Sequence, residues 1–225
     1  MSFFERLRAE TEPSRQALFG IPVIQEALQG GIHLSQYIAF LTQAYHHVRH
    51  TVPLLMACGS RLPDRLGWLR EATVDYIAEE SGHDEWILAD IAACGADAEA
   101  VRHGFPDFET ELMVAYAYHQ IDRRNPVAFF GMVHVLEGTS VAIATHAAEA
   151  IRATLGLPAS AFTYLTSHGS LDIGHVKTFA GLMDRLEETG DRQAVVDGAI
   201  AVYRLYGDIF RALPVQDARV IQVAA

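Results

Sequence analysis

Carboxylate and imidazole side chains recur at helical spacing in three segments of this 225-residue chain. "EESGHDEW" contains a Glu-x-x-His pair, "VLEGTS" contains a single Glu, and "SHGSLDIGHVKTF" contains a His-x-x-x-Asp-x-x-His triplet. Residues that are three or four positions apart share one face of an α-helix. The three segments therefore present six side chains of the kinds that bind metals, namely Glu80, His83, Glu137, His168, Asp172 and His175.

These polar residues fall on the apolar faces of their predicted helices. At about 100° per residue, His168, Asp172 and His175 lie within roughly 60° of one another, among aliphatic and aromatic residues. Glu80, His83 and Glu137 occupy similar positions on two other helices, whereas Glu79 falls about 100° away on the flank. An isolated carboxylate in a protein interior is costly unless a cation compensates its charge.

A metal ion is the simplest such cation, because no arginine or lysine shares these three helix faces near the acids. Six nitrogen and oxygen ligands, with one carboxylate able to bridge, suit a pair of ions. The absence of sulfur favours iron, with manganese as the alternative, over a structural zinc. Helical bundles hold pairs of such ions through Glu-x-x-His motifs on facing helices. The alternative is a metal-free network in which histidines and carboxylates hydrogen-bond to each other.

The elements that must position these residues are helices. Helical periodicity is strong, no sustained alternation or hairpin signal appears, and the breaks are rich in Gly, Pro, Asn and Asp. We predict an all-α, single-domain bundle of seven to eight helices over residues 1–214, with a C-terminal tail at 215–225. Pro53 should kink the third helix. The predicted helices are 2–18, 21–29, 34–60, 64–93, 107–123, 126–155, 158–186 and 190–213.

The composition is that of a folded globular protein, with 50% hydrophobic and 20% charged residues. The net charge of -11 disfavours nucleic acid and anionic membranes as partners, and no basic run reverses it locally. No apolar window is long enough for a membrane span, and the N-terminus lacks the apolar core of a signal peptide. The two cysteines, Cys58 and Cys94, form no metal-site or disulfide pattern. We therefore expect a cytoplasmic protein with reduced cysteines, and a single disulfide between them is the alternative.

The order Glu-x-x-His, Glu, His-x-x-x-Asp-x-x-His resembles the haem-oxygenase-like di-iron oxidases and oxygenases, which are often described as iron-containing redox enzymes. The resemblance covers roughly residues 30–190 and includes "YHHVRHTVPLL" as well as the three motif segments. It implies a haem-oxygenase-like fold and a two-iron cofactor that activates dioxygen. The expected reactions are N-oxygenation, C–H abstraction or oxidative C–C cleavage of a small-molecule substrate.

By position, the resemblance makes the six residues named above the ligands of the two ions, with Glu137 as the bridge. It also implies an electron donor as a further partner, and it implies a homodimer. No additional carboxylate is evident on helix 34–60, where Tyr45, His46, His47 and His50 lie instead. Candidates for hydrogen bonds to the ligands or for substrate contact are Tyr45, His47, His50, Tyr76, Asp84, His134 and Tyr164.

Three sister families with this fold fit the residues less well. Haem oxygenases use a histidine near the N-terminus, but no histidine precedes His33 in this chain. TenA-type thiaminases use a cysteine nucleophile, but Cys58 and Cys94 lie outside the polar stripes. Pyrroloquinoline quinone synthases have no metal and have a basic pocket. The remaining rivals are a metal-free enzyme of the same fold, a metal-binding protein without turnover, and a hydrolase with two divalent ions.

Overall fold

A computed structural model describes residues 1–214, apart from the side chains of residues 168–174. Within that range the chain is helical and contains no β-strand, so the all-α prediction is confirmed. The predicted tail at 215–225 lies outside the described residues. The α-helices are α1 (Phe3–Phe19), α2 (Pro22–Leu28), α3 (Leu34–Val48), α4 (Thr51–Arg61), α5 (Gly67–Glu80), α6 (His83–Ala93), α7 (Ala98–His103), α8 (Phe108–Arg123), α9 (Phe129–Thr139), α10 (Thr145–Leu155), α11 (Thr163–Asp184) and α12 (Thr189–Ala212).

The prediction of one helix over 64–93 is wrong, because that segment contains two α-helices. α5 ends at Glu80, Ser81 is extended, and Gly82 has a φ of 91°. That left-handed conformation favours glycine, and it ends one helix before the next begins. Glu80 and His83 consequently lie on opposite sides of a turn rather than on one helix face.

The predicted helix 34–60 also divides in two. α3 ends at Val48 and α4 begins at Thr51, so the break precedes Pro53 instead of forming a kink at it. Pro53 lies in the first turn of α4, where its missing N–H removes no hydrogen bond from the helix. These two divisions, together with the short α7, raise the number of helical segments above the predicted seven to eight.

Residues Pro126–Leu155 form one continuous helical segment, as predicted, but it is not uniformly α-helical. A 3₁₀ turn (Pro126–Ala128) precedes α9, and a π-helical stretch (Ser140–Ala144) joins α9 to α10. Among the described residues this segment alone is long and apolar enough to cross a membrane, by length and composition. Since 56% of its most apolar window is buried inside the molecule, it fits the role of a core helix.

α12 packs against α9, α1 and α8 and closes one side of the bundle. Gly131 on α9 permits a close approach to α12, because a Cβ there would collide with the backbone of Ala199 and Val195. The long central segment is thereby held directly against α12.

The buried apolar residues form two clusters. One cluster joins α1, α4, α5, α8, α9 and α12, and the other joins α3, α6, α10 and the start of α11. Residues from both clusters line a cavity between them. The polar residues of interest lie at this division of the core.

Candidate functional site

The cavity has a volume of about 160 Å³ and an almost entirely apolar lining. Glu80 and Glu137 are the charged residues among the described part of that lining. They come from different helices, α5 and α9, so the fold brings two of the predicted ligands to one cavity.

Glu80 and His83 form a pair across the α5–α6 turn. His83 Nδ1 lies 3.2 Å from a carboxylate oxygen of Glu80, and both side chains are largely buried. The His83 ring also stacks on Trp86, with ring centroids 4.0 Å apart. The turn at Gly82 keeps the two side chains adjacent although the helix is interrupted.

His175 on α11 lies between two carboxylates. Its Nδ1 is 3.8 Å from Glu137 Oε1, and its Nε2 is 3.2 Å from Glu79 Oε2. The Glu137 side chain is 11% exposed and the Glu79 side chain is 53% exposed. The imidazole therefore lies within ion-pair distance of the buried carboxylate on α9 and of a half-exposed one at the end of α5.

Asp90 fixes the N-terminal end of α11 and thereby helps to place His175. This fully buried carboxylate on α6 accepts hydrogen bonds from the backbone N–H groups of Thr163 (3.0 Å) and Tyr164 (2.8 Å). Burial raises the pKa of Asp90 above its ordinary value, although these two hydrogen bonds act against the rise. A carboxylate at a helix N-terminus satisfies free N–H groups and interacts favourably with the helix dipole.

Two of the six predicted ligands, His168 and Asp172, lie outside the described side chains. Among the side chains that the structure does describe, no group of three or more His, Cys, Asp or Glu is arranged to hold a metal ion. The six-ligand set therefore stays a prediction. Glu80 with His83, and Glu137 with His175, are the parts of it that the structure brings together.

The donor chemistry of these residues fits iron. Carboxylate oxygens and imidazole nitrogens are ligands that suit iron and manganese. Glu79 and Glu80 also occupy the last turn of α5, which contains no basic residue. Anions are unfavourable at that end of a helix, so a cation placed there would relieve the repulsion.

Three of the seven additional candidates line the cavity: His47, Tyr76 and Tyr164. Each of them is buried. The ring of Tyr76 lies 6.0 Å from that of His175, centroid to centroid. These three residues therefore share a cavity with Glu80 and Glu137, and their roles stay predictions.

The other candidates lie elsewhere. Tyr45 packs against His46 and Arg49, and His50 Nδ1 lies 3.4 Å from the hydroxyl of Tyr118 on α8. His134 packs among Phe4, Phe179 and Tyr203, and its Nε2 is 3.4 Å from Thr11 Oγ1. Asp84 is half-buried in the first turn of α6. Helical spacing placed His134 near Glu137, but its ring packs against other helices, as does that of His50; Tyr45 contacts residues of its own helix and its C-cap.

Sequence reasoning missed three residues at the site. Glu79 appeared to lie on the flank of a continuous helix, but its long side chain reaches His175 from the end of α5. The Ser-Gly pair after Glu80 was the available signal for that helix end. Thr139 and Ser140, which follow Glu137 in "VLEGTS", also line the cavity.

Neither cysteine has the environment of a nucleophile. Burial raises the pKa of Cys58 to about 12 and that of Cys94 to about 11. Both thiols are consequently protonated at neutral pH, whereas the thiolate is the reactive form. Neither residue lines the cavity.

Comparison with solved structures confirms the haem-oxygenase-like fold. A protein of unknown function with that fold from Shewanella denitrificans is 24% identical, with a TM-score of 0.85 over 95% of this chain and 92% of that one. A TenA homologue from P. horikoshii is 11% identical, with a TM-score of 0.77 over 94% and 97% of the two chains. Haem oxygenase-1 from Synechocystis, in complex with haem, is 10% identical, with a TM-score of 0.74 over 94% and 91%. Identities this low establish the fold alone.

A search of curated proteins found no match. The profile of the family described as "Iron-containing redox enzyme" matches residues 38–207, which include all six predicted ligands. This match spans well over half of the chain, so it assigns a family in addition to a fold. The protein belongs to the iron-containing redox enzyme family.

Proposed function

We propose that this member of the family is a non-haem di-iron enzyme that uses dioxygen to oxidise a small organic substrate. Glu80, His83, Glu137, His168, Asp172 and His175 would hold the two ions, with manganese as the alternative metal. An electron donor would be needed for repeated turnover, and a homodimer is the proposed assembly. When bound, iron would supply the redox chemistry and the activation of dioxygen.

One observation carries the proposal: carboxylates from α5 and α9 meet imidazoles from α6 and α11 at the edge of one apolar cavity. A buried carboxylate is unfavourable in such surroundings without a compensating cation. The same side chains are donors that suit iron. Membership of an iron-containing family supports this interpretation of the donors.

The protein's own residues would orient the donors and exclude water. Contact between Glu79 and His175 Nε2 fixes the orientation of that imidazole ring, as partners of metal-binding histidines commonly do. Stacking of Trp86 on His83 restrains the second ring. The apolar lining would limit the water around the carboxylates, which would strengthen the electrostatic interactions there.

The first test is to purify the chain without oxygen, add ferrous iron, and count bound iron per chain. We expect about two ions per chain, as bundle carboxylate–histidine sites of this kind hold. Admission of dioxygen should then change the visible absorption spectrum and consume dioxygen. Glu137→Ala should lose iron, whereas Glu149→Ala, an exposed change on α10, should not.

Two outcomes would contradict the proposal. Absence of specific iron binding, with Glu137→Ala equivalent to the unchanged chain, would favour a metal-free, TenA-like enzyme of the same fold. Oxidation of the bound iron once, without turnover when candidate substrates and a reductant are supplied, would favour a metal-binding protein. A cysteine-dependent, thiaminase-like activity is already disfavoured because both thiols are buried and protonated.

A further inference from the structure

The cavity extends along one helical segment. Its lining takes residues at three- and four-residue spacing from α9, the π-helical stretch and α10, between Phe129 and Ile151. At 1.5 Å per residue, about 20 Å of helix separates Glu137 from Ile151. A volume of about 160 Å³ distributed along this length makes a narrow space.

The part of the cavity that runs from Glu137 toward Ile151 is apolar, and we call it the aliphatic arm. Ala144, Ala147 and Ile151 form its wall on the central segment, and Ala27 and Leu28 of α2 lie among its other lining residues. Small alanines on the wall leave room for an unbranched chain. Apolar surface of this kind binds aliphatic groups by removing them from water.

Two hydroxyl groups lie at the carboxylate end of this arm. Thr139 is 5% exposed, and its Oγ1 has no hydrogen-bond partner among the described residues. Ser140 Oγ, at the first residue of the π-helical stretch, is likewise buried without a partner in the described part of the chain. Buried hydroxyls without partners are unfavourable, and π-helical stretches occur frequently at functional sites. Both residues line the cavity.

The charge of the cavity restricts the group that these hydroxyls would bind. Glu80 and Glu137 are the charged residues in the described lining, which includes no arginine or lysine. A small group that donates and accepts hydrogen bonds suits this environment, and no arginine or lysine of the described lining favours a free anion.

We propose that the cavity binds an unbranched aliphatic molecule whose small hydrogen-bonding head group is held by the Thr139 and Ser140 hydroxyls. Its chain occupies the aliphatic arm. This inference rests on the proposed function, because the head group would lie beside the proposed iron site. Thr139 and Ser140 are one helical turn or less from Glu137. It names the substrate class of that site.

The first experiment titrates metal-free protein with 1-hexanol, 1-octanol and 1-decanol by calorimetry. Burial of each methylene contributes about 0.8 kcal/mol, so each added methylene should lower Kd about fourfold. Ala147→Phe, which fills the arm, should abolish the gain from 1-octanol to 1-decanol. Ala153→Phe, on the exposed face of α10, is the matched control and should preserve that gain.

The second experiment tests the head group. Thr139→Val replaces the hydroxyl with a methyl group of similar shape and should raise the Kd of 1-octanol about fivefold, the typical worth of one hydrogen bond. It should also raise the Tm of the ligand-free protein, because an unsatisfied buried hydroxyl is removed. Thr139→Ser should restore binding. Thr42→Val, which removes a hydroxyl that is bonded within α3, should leave binding unchanged.

If Kd does not depend on the length of the alcohol, or if Ala147→Phe leaves the gain from 1-octanol to 1-decanol unchanged, the aliphatic arm does not bind the chain. Equal binding of 1-octanol by Thr139→Val and the unchanged chain would overturn the head-group site. All of these measurements use metal-free protein, whereas the proposed function is tested by iron binding. Failure of one is therefore distinguishable from failure of the other.

Discussion

Two buried carboxylates in this protein, Asp191 and Glu137, have very different partners. Asp191 accepts hydrogen bonds from Arg65 (Nη1 at 2.6 Å) and from Asn125 Nδ2 at 2.9 Å. Burial raises its pKa, but the bonds from Arg65 and Asn125 outweigh burial and hold the pKa below its ordinary value. Glu137 Oε1, by contrast, lies 3.8 Å from Nδ1 of the His175 imidazole.

The difference separates a structural carboxylate from a candidate ligand. A guanidinium is permanently charged and occupies the carboxylate oxygens of Asp191, so that site has no need of an added cation. An imidazole carries no permanent charge and is itself a metal donor. The surroundings of Glu137 therefore suit a metal ion. Asp191 instead connects α12 to the loop before α9 through its hydrogen bond with Asn125.

Removal of the Glu137 charge should have the largest effect. Glu137→Gln should lower iron affinity by more than about 100-fold, because loss of a ligand exceeds the effect of losing a residue that only supports one. The metal-free protein should unfold at the same or a higher temperature, since a buried charge has been removed. Iron titration and thermal unfolding of the metal-free protein measure the two effects. Glu149→Gln, on the exposed face of α10, is the control.

His134 provides a comparison with His175, because its imidazole has no carboxylate among its closest contacts. Burial lowers its pKa to about 4, so the folded state resists its protonation. Between about pH 6.5 and 4 the unfolded chain takes up a proton that the folded chain does not, and stability should fall by about 3 kcal/mol. His134→Phe should remove this loss. Denaturant unfolding across that pH range measures it, and the exposed His103→Phe should leave the loss intact.

Asp191→Asn should destabilise the fold without changing the affinity for iron. The expected loss is about 2 kcal/mol, below that of a fully buried ion pair because the Arg65 side chain is 43% exposed. Glu188→Gln removes an exposed carboxylate from the same arginine and should cost less than about 0.5 kcal/mol. Reduced iron binding in Asp191→Asn at a temperature where it is folded would contradict the separation of the two sites.

Glu79→Gln should have the smallest effect. It removes a half-exposed partner of His175 and should weaken iron binding about tenfold or less. Glu71→Gln, an exposed change earlier on α5, should leave iron affinity unchanged. A loss as large as that of Glu137→Gln would make Glu79 a direct ligand, which would enlarge the predicted set.

Several features of the fold were predictable because they depend on local sequence. The helices were predicted from apolar residues at helical spacing, and most of their ends from the Gly- and Pro-rich segments between them. The division at Ser81–Gly82 was not predicted, since a single glycine inside a helical pattern is often tolerated and its positive φ depends on packing. The break before Pro53 was missed because a proline fits both the first turn of a helix and a kink.

The candidate site was partly predictable. Polar residues on apolar helix faces identified Glu80, His83, Glu137 and His175, and the structure pairs them as Glu80 with His83 and Glu137 with His175. The roles of Tyr45, His50 and His134 were not readable, because residues on a buried helix meet neighbours on several sides. Only the packing of α1 and α12 around His134, and of α8 beside His50, decided which way those rings point.

By itself the sequence determined that the protein is helical and that it places carboxylates and imidazoles in the interior, because periodicity and residue type are local properties. It also contained the motif that resembles the iron-containing family. The tertiary structure alone decided that Glu79 reaches His175, that the core divides around a cavity, and that this cavity runs along α9 and α10. These features depend on how helices distant in sequence approach one another, and helix spacing within one segment carries no information about that approach.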